Sequence, residues 1–337
     1  MAILVMFGAW SPARVLEGLG ARGGGGAASS RRHVFDMTRN QDGARPLGHE
    51  VRVWPEVGNP DDIKYAIVWK PPAGELAKLK NLAAIFSYGA GVDALMEDAT
   101  LPAHVPVVRF VDPDLTQRMT EYVALHTLFH HRRMGEYLGK QTRREWGNFG
   151  EPLAGDVGVG LMGIGVLGSA CAARLKALGY DVAGWSRTRK TDAGFPCFSG
   201  TGQLDAFLAR TDILVTLLPL TPATRGILNR KLFANLRRGG ALPGPVLINP
   251  GRGGLQVEVD ILAALETGTL YSATLDVFET EPLPAGSPLW QHPRIVVTPH
   301  NASDSDGRNV ARYALQQIAA FEAGRPLENV VDGRQGY

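Results

Sequence analysis

Asp156-Val-Gly-Val-Gly-Leu-Met162, Gly163-Ile-Gly165-Val-Leu-Gly168 and Ser169-Ala-Cys-Ala-Ala-Arg-Leu-Lys-Ala-Leu178 follow one another without a gap, and this stretch decides the fold. The first segment is apolar without alternation, the pattern of a strand buried on both faces of a parallel sheet. The last places Ala170, Cys171, Leu175 and Leu178 on one helical face, and Gly179 supplies a left-handed C-terminus. The glycines between them have separate tasks. The first permits a tight turn and the second lets the backbone approach a pyrophosphate. The third allows close helix–strand packing, while the helix N-terminus faces the anion. Glycine triplets alone are common in loops. With a strand before and a helix after, this one predicts a dinucleotide site contacted by Gly163, Gly165, Val166, Leu167 and Gly168.

The next strand, Asp181-Val-Ala-Gly-Trp-Ser186, ends where an NAD site carries an Asp or Glu for the ribose 2′-hydroxyl. Here the tip reads Trp185-Ser186-Arg187-Thr188-Arg189-Lys190. A carboxylate would repel a 2′-phosphate, whereas guanidiniums and hydroxyls bind it through charge-assisted hydrogen bonds. A solvated basic turn would have the same composition. The position favours phosphate recognition, so NADP(H) is expected over NAD(H), with Trp185, Ser186, Arg187, Thr188 and Arg189 at its adenosine end.

The 337 residues suffice for two domains. A formal charge of +2 is too small to argue for a nucleic-acid or membrane partner. Two cysteines, Cys171 in the fingerprint helix and Cys197 in an expected loop, form neither a disulfide framework nor a metal pattern, and a reducing, cytoplasmic setting is expected without a metal. Cys171 reads as a core residue and Cys197 as a surface thiol. The apolar Ala2–Phe7 lacks the basic flank of a signal peptide and reads as a first strand. Gly20–Pro46, with four consecutive glycines, serines and arginines, reads as a flexible surface insertion without assigned function.

Short apolar runs alternate with helical stretches along the whole chain. They are Ile3–Phe7, Val51–Trp54, Tyr65–Trp69, Leu82–Ser87 and Val105–Phe110 before the fingerprint. Val182–Trp185, Ile213–Leu218, Val246–Asn249, Ala273–Val277 and Ile295–Thr298 follow it. Such alternation predicts two α/β domains built on doubly wound parallel sheets. A long helical region from Leu115 to about Trp146 is expected to join them, and Val310–Phe321 to close the chain as an amphipathic helix.

Ligands bind at the carboxyl ends of strands in open α/β sheets. Arg252 in Ile248-Asn-Pro-Gly-Arg-Gly253, Glu281 in Leu275-Asp-Val-Phe-Glu-Thr-Glu-Pro-Leu283, and His300 in Val297-Thr-Pro-His300 all lie just beyond predicted strands. Singly, each has a bland explanation: a loop arginine, a segment-ending glutamate, a structural histidine. Three on one sheet edge, downstream of a dinucleotide fingerprint, point to chemistry.

Gly89-Ala-Gly-Val-Asp93, the fingerprint, Leu218-Pro-Leu-Thr-Pro-Ala-Thr-Arg225, the Arg252 segment, Leu275-Asp-Val-Phe278 and Thr298-Pro-His300 resemble, in order and spacing, the D-isomer-specific 2-hydroxyacid dehydrogenase family. Val68-Trp-Lys-Pro-Pro72, the run from Val108 to Tyr122 and Trp185-Ser-Arg are most similar to its glyoxylate/hydroxypyruvate reductase A type. The resemblance runs from Glu50 to Val330. It implies a Rossmann-type cofactor domain over residues 123–301, inserted in a flavodoxin-like substrate domain formed by 1–122 and 302–337.

It also implies roles. Arg252 would grip the substrate and polarise its ketone, His300 would serve as acid/base, and Glu281 would pair with it. Asp276 would lie near the nicotinamide, with Pro219 and Thr224 also in the cofactor site. Gly89, Ala90 and Gly91 would hold the substrate carboxylate through their N–H groups, and Trp69 would line the pocket. The implied activity is NADPH-dependent reduction of small 2-keto acids, glyoxylate and hydroxypyruvate above all, by a homodimer with its interface near Leu115–Trp146. Domain closure would exclude water from the reaction. An NADH-linked D-lactate or D-glycerate dehydrogenase is the alternative enzyme, disfavoured by the missing acidic residue at the strand tip. A dinucleotide-sensing interaction protein is the alternative outside catalysis, disfavoured by the intact Arg252, Glu281 and His300.

Three features depart from the family pattern. Arg237-Arg-Gly-Gly-Ala-Leu-Pro-Gly-Pro245 is longer and richer in Pro and Gly than usual, enough to displace the Arg252 loop. Asn301 stands where an apolar residue is usual, and Gly20–Pro46 has no counterpart.

Overall fold

The computed structural model describes residues 1–8, 11–20, 48–191 and 193–332. The glycine-rich stretch expected as an insertion therefore lies, but for its first residue, outside the described residues. The chain divides into two compact units, Met1–Leu115 with Ser305–Tyr337, and Thr116–Asp304.

The first unit is built on β1 (Ala2–Phe7), β2 (Glu50–Val53), β3 (Ile63–Trp69), β4 (Ala84–Ser87) and β5 (Val107–Val108). Short helices α1 (Ala13–Gly18) and α2 (Asp93–Met96) follow β1 and β4. The strand order is β2-β1-β3-β4-β5 and every pair is parallel, the flavodoxin-like arrangement. All six residues of β1 are buried, because helices or loops cover both faces of a parallel sheet. The run read as Val105–Phe110 contributes only two strand residues.

Helix α3 (Pro113–His131) carries the chain into the second unit, and α4 (Met134–Arg143) follows it. The expected continuous helix to Trp146 is thus two helices and a coil. Arg133 takes a left-handed conformation (φ 52°) between them, and its guanidinium binds Glu136 at 2.6 and 2.7 Å. No Pro marks that break, and Gly135 lies just inside the second helix.

The second unit contains β6 (Gly158–Met162), α5 (Val166–Ala177), β7 (Asp181–Ser186), β8 (Cys197–Ser199), α6 (Leu204–Leu208) and β9 (Ile213–Thr216). It continues through α7 (Arg230–Ala234), β10 (Val246–Asn249), α8 (Glu258–Glu266), β11 (Ser272–Leu275) and β12 (Ile295–Val297). The sheet runs β12-β11-β10-β9-β6-β7-β8, all parallel, which is the Rossmann order with one further strand at an edge. The chain winds one way from β6 and the other from β9, so the crevice at their carboxyl ends is the topological switch point where such sheets bind ligands.

Several local expectations need correction. Cys197 begins the edge strand β8, where it is half-buried, instead of occupying a surface loop. On α5 the inward face is Gly168, Cys171, Ala172 and Leu175; Ala170 is only partly covered and Leu178 is exposed. That face packs with Val159, Leu161, Ile213 and Val215, and burying a leucine such as Leu175 contributes about 1.5–3 kcal/mol. Gly179 does take the expected left-handed conformation, at φ 90°.

The Pro/Gly-rich stretch at 237–245 leaves Arg252 undisturbed, because it leads into the amino end of β10 whereas Arg252 follows the carboxyl end. Arg237 pairs there with buried Asp212 at 3.0 Å, and Leu242 enters the core. Strand β10 keeps regular register with β9 and β11.

Helix α9 (Gly307–Glu322) lies in the first unit, capped by Asp306 and packed against α1. Beyond it, Val331 N–H donates to Val107 O at 2.8 Å, joining the tail to β5. Among the described residues no helix is long and apolar enough to cross a membrane.

Candidate active site

Every strand of the second unit is parallel, so the segments after β6, β7, β9, β10, β11 and β12 emerge at one edge of its sheet. The fingerprint, the basic turn and all three residues singled out for chemistry lie there.

The fingerprint has the geometry its glycines require. Gly163 sits at φ 99°, and a Cβ on it would fall 2.5 Å from Leu217 O. A Cβ on Gly168 would fall 1.9 Å from Gly163 O, so α5 approaches β6 closely only because that side chain is absent. Gly165 differs: it is exposed, and a Cβ there would meet nothing within 4 Å. Val166 opens α5 beside it and is exposed, Leu167 is partly covered, and no side chain among the described residues caps the helix. The bare backbone and N–H groups of this turn fit a dinucleotide pyrophosphate.

At the tip of β7 the side chains separate. The Trp185 ring is buried in the core, its indole N–H donating to Gly200 O at 2.9 Å. Ser186 Oγ donates to Thr188 O at 2.7 Å, and Arg187, Thr188, Arg189 and Lys190 are exposed. Beyond β9, the Thr224 hydroxyl donates to Pro219 O at 2.7 Å and accepts from Thr221 N at 2.8 Å, closing the turn between them.

Arg252 is held by its neighbours. A Cβ on Gly253 would fall 2.0 Å from the Phe278 carbonyl, and one on Gly251 would fall 2.9 Å from Thr216 O. The flanking glycines therefore allow the loop to lie against two strand ends. Asn249 Nδ2 donates to Arg252 O at 3.2 Å and to Gln256 Oε1 at 2.8 Å, and Gln256 Nε2 donates to Val277 O at 2.9 Å. Arg252 Nη1 donates to Gly251 O at 2.8 Å.

His300 Nδ1 lies 2.8 Å from Glu281 Oε2, and Glu281 Oε1 accepts from Phe278 N at 3.1 Å. An ionised carboxylate only accepts, so this contact puts the Nδ1 proton on His300 and directs Nε2 away from Glu281. The imidazole keeps 38% side-chain exposure. Asp276, in contrast, is wholly buried. Its carboxylate accepts from Thr298 Oγ1 at 2.6 Å, Asn301 N at 3.0 Å and Ala302 N at 3.0 Å, and its backbone O accepts from His300 N at 2.8 Å. Burial pushes its pKa up and these donors oppose that shift. Asn301 acts through its backbone; its side chain points to no such role and the residue is exposed.

In the first unit, Trp69 ends β3 and packs edge-on against Tyr88 at 5.8 Å. A Cβ on Gly89 would fall 2.6 Å from the Trp69 ring, so a glycine there admits the indole. Ala90 and Gly91 follow in the same loop, where Gly91 O accepts from Ser87 Oγ at 3.4 Å.

Sequence reasoning missed Asn249, Gln256, Thr298 and Tyr122 as supports. Asn249, Thr298 and Tyr122 lie within quoted motifs, but nothing in the chain distinguishes Gln256.

Residues 124–302 match the model of the D-isomer specific 2-hydroxyacid dehydrogenase NAD-binding domain. The chain belongs to that family. It is accordingly an NAD(P)-dependent oxidoreductase acting on the CH–OH group. It is 42% identical over 293 residues to a glyoxylate/hydroxypyruvate reductase A of Serratia proteamaculans, covering 86% of this chain and 92% of that protein. It is also similar to the NADPH-dependent glyoxylate/hydroxypyruvate reductase of Sinorhizobium meliloti solved with NADP and sulfate, at 43% identity and a TM-score of 0.87, covering 100% and 99% of the two chains. A Xanthobacter autotrophicus dehydrogenase solved with NADPH shares 38% identity at a TM-score of 0.86, covering 100% and 99%.

Proposed function

We propose that this member of the family is an NADPH-dependent reductase of small 2-keto acids, converting glyoxylate to glycolate and hydroxypyruvate to D-glycerate. The observation that carries the reading is the 2.8 Å contact between His300 and Glu281, on the same sheet edge as the fingerprint and Arg252. The names and NADP-bound states of the relatives support the choice of substrates and cofactor.

Gly163, Gly165 and Gly168, with the N-terminus of α5, hold the pyrophosphate; Arg187 and Arg189 bind the 2′-phosphate. When bound, the reduced nicotinamide supplies a hydride. Arg252 binds the keto acid and places its positive charge beside the ketone oxygen, stabilising charge that develops there. His300, protonated and oriented by Glu281, gives its Nε2 proton to that oxygen and is left neutral. Its partial exposure lets solvent restore the proton. In the first unit, the N–H groups at Gly89, Ala90 and Gly91 bind the substrate carboxylate, and Trp69 limits substrate size.

We assign a homodimer to the exposed apolar side chains of α3 and α4, Leu125, Leu128, Met134 and Leu138. Two unpaired cysteines favour a cytoplasmic setting. The test of the activity is NADPH absorbance with glyoxylate, hydroxypyruvate and pyruvate, repeated with NADH. Rapid NADPH loss with either of the first two is expected. Faster turnover with NADH would overturn the cofactor assignment, and silence with all three acids would overturn the reaction.

A further inference from the structure

Helix α3 meets β11 along a seam of polar side chains. On the helix, Tyr122, His126 and His130 recur every four residues and share a face; on the strand side, Ser272, Thr274 and Asp276 recur every two. Ser272 Oγ lies 2.9 Å from His130 Nδ1, and Thr274 Oγ1 lies 2.8 Å from His130 Nε2 and 3.3 Å from His126 Nδ1. The last rung is different. Tyr122 OH lies 2.7 Å from Thr298 Oγ1, which donates at 2.6 Å to Asp276 Oδ1.

The direction of that rung follows from its atoms. A threonine hydroxyl has one proton, and here it goes to the carboxylate, so Tyr122 must be the donor to Thr298. The chain runs Tyr122 O–H to Thr298 O–H to Asp276. The same carboxylate accepts from Asn301 N and Ala302 N, immediately after His300. His300 itself has φ 53°, a left-handed conformation that a non-glycine residue keeps only when its surroundings impose it. Asp276 is the group imposing it, through both carboxylate oxygens and its backbone O. A buried carboxylate holds a fixed rotamer when its acceptor sites are filled: Thr298 Oγ1 and Asn301 N share Oδ1, and Ala302 N takes Oδ2.

We infer that Tyr122 and Thr298 are positioning residues for His300, acting through Asp276 to hold the left-handed turn that brings the imidazole to Glu281. The inference rests on the reading of His300 as the acid, and its test is separable from that reading.

The experiment uses the full chain and the variants Thr298→Val, Thr298→Ser and Tyr122→Phe, with melting temperatures to establish folding. Two readouts are taken. The first is the His300 ring signal in protein carrying ¹³C at histidine Cε1, assigned by its loss in His300→Ala and recorded without cofactor. The second is kcat and KM for glyoxylate with NADPH. Thr298→Val should move the His300 signal and lower kcat about 10- to 100-fold with KM changed less than about twofold, as expected for losing a hydrogen bond to a charged group. Thr298→Ser should restore both. Tyr122→Phe should move both in the same direction by a smaller amount, about threefold in kcat. An unmoved His300 signal in Thr298→Val and Tyr122→Phe overturns the inference, as does a serine variant that behaves like the valine one. If the unaltered protein reduced no keto acid, the proposed function would fall, and the His300 signal alone would decide the inference. If Thr298→Val did not fold, Tyr122→Phe would decide it by the same readouts.

Discussion

Two segments at the same sheet edge are built to opposite standards. After β10, β11 and β12 the loops are locked by buried polar side chains: Asn249 and Gln256 under Arg252, Asp276 under His300. After β7 the basic turn is exposed, with Ser186 Oγ donating to Thr188 O within it. The contrast suits the roles proposed for each. Proton transfer and charge stabilisation depend on sub-ångström placement. Attraction between guanidiniums and a phosphate acts over longer distances and tolerates a range of rotamers. Rigidity is concentrated at the chemistry, and charge at the rim.

The comparison predicts a graded series of losses. His300→Ala should lower reduction about 100- to 10,000-fold, the usual worth of a general acid, while NADPH affinity measured by fluorescence stays near that of the unaltered protein. Retained turnover would remove His300 from the acid role. At the rim, replacing Arg187 and Arg189 together by alanine should weaken NADPH binding about 10- to 100-fold and NADH binding less than about twofold, a difference that shrinks with added salt. Equal weakening of both cofactors would show that the turn does not read the 2′-phosphate. Gly253→Ala tests the locked side, because its methyl would press on the Phe278 carbonyl. About 1–3 kcal/mol of stability should be lost by denaturant titration, with kcat lowered more than KM is raised.

The polar seam behind the catalytic edge should sharpen the contrast through pH. Burial lowers the pKa of His126 to about 4 and of His130 to about 3, from 6.5. Both are neutral in the folded protein, so their contribution is complete above pH 6.5 and is lost as the pH falls toward 4 and 3. The cost approaches about 1.4 kcal/mol per histidine for each pH unit in that window. Denaturant titrations at pH 7, 6 and 5 should show a steady fall; a flat profile would mean that these histidines are already charged in the native state or shielded less than the seam implies.

Much of this was legible in the chain for a simple reason. Parallel strands buried on both faces appear as unbroken apolar runs, as in Gly158–Met162 and Val246–Asn249, and the residues proposed for catalysis lie in the segments after such runs. The basic turn was legible because its position relative to β7 is set by the fingerprint. What escaped lacks a local signature. The strand Cys197–Ser199 is three half-buried residues at an edge. The break at Arg133 falls between two helical patterns, with Arg133 paired to Glu136 and no proline to mark it. Tyr122 and Thr298 are 176 positions apart, and only the packing of α3 on the sheet makes them partners. The burial of Trp185 also escaped: an indole at the end of a buried strand has a large apolar face that the core takes.

The Pro/Gly-rich approach to β10 has a consequence for how such a protein can change. It lies at the amino ends of the strands, anchored by Arg237 on Asp212 and by Leu242 in the core, with exposed Arg238 and Gly239 between. A parallel sheet thus has a working rim and an idle rim, separated by the length of its strands. Chain length can drift at the idle rim without altering what the enzyme does, which makes the bond between residues 238 and 239 a natural place to graft a reporter.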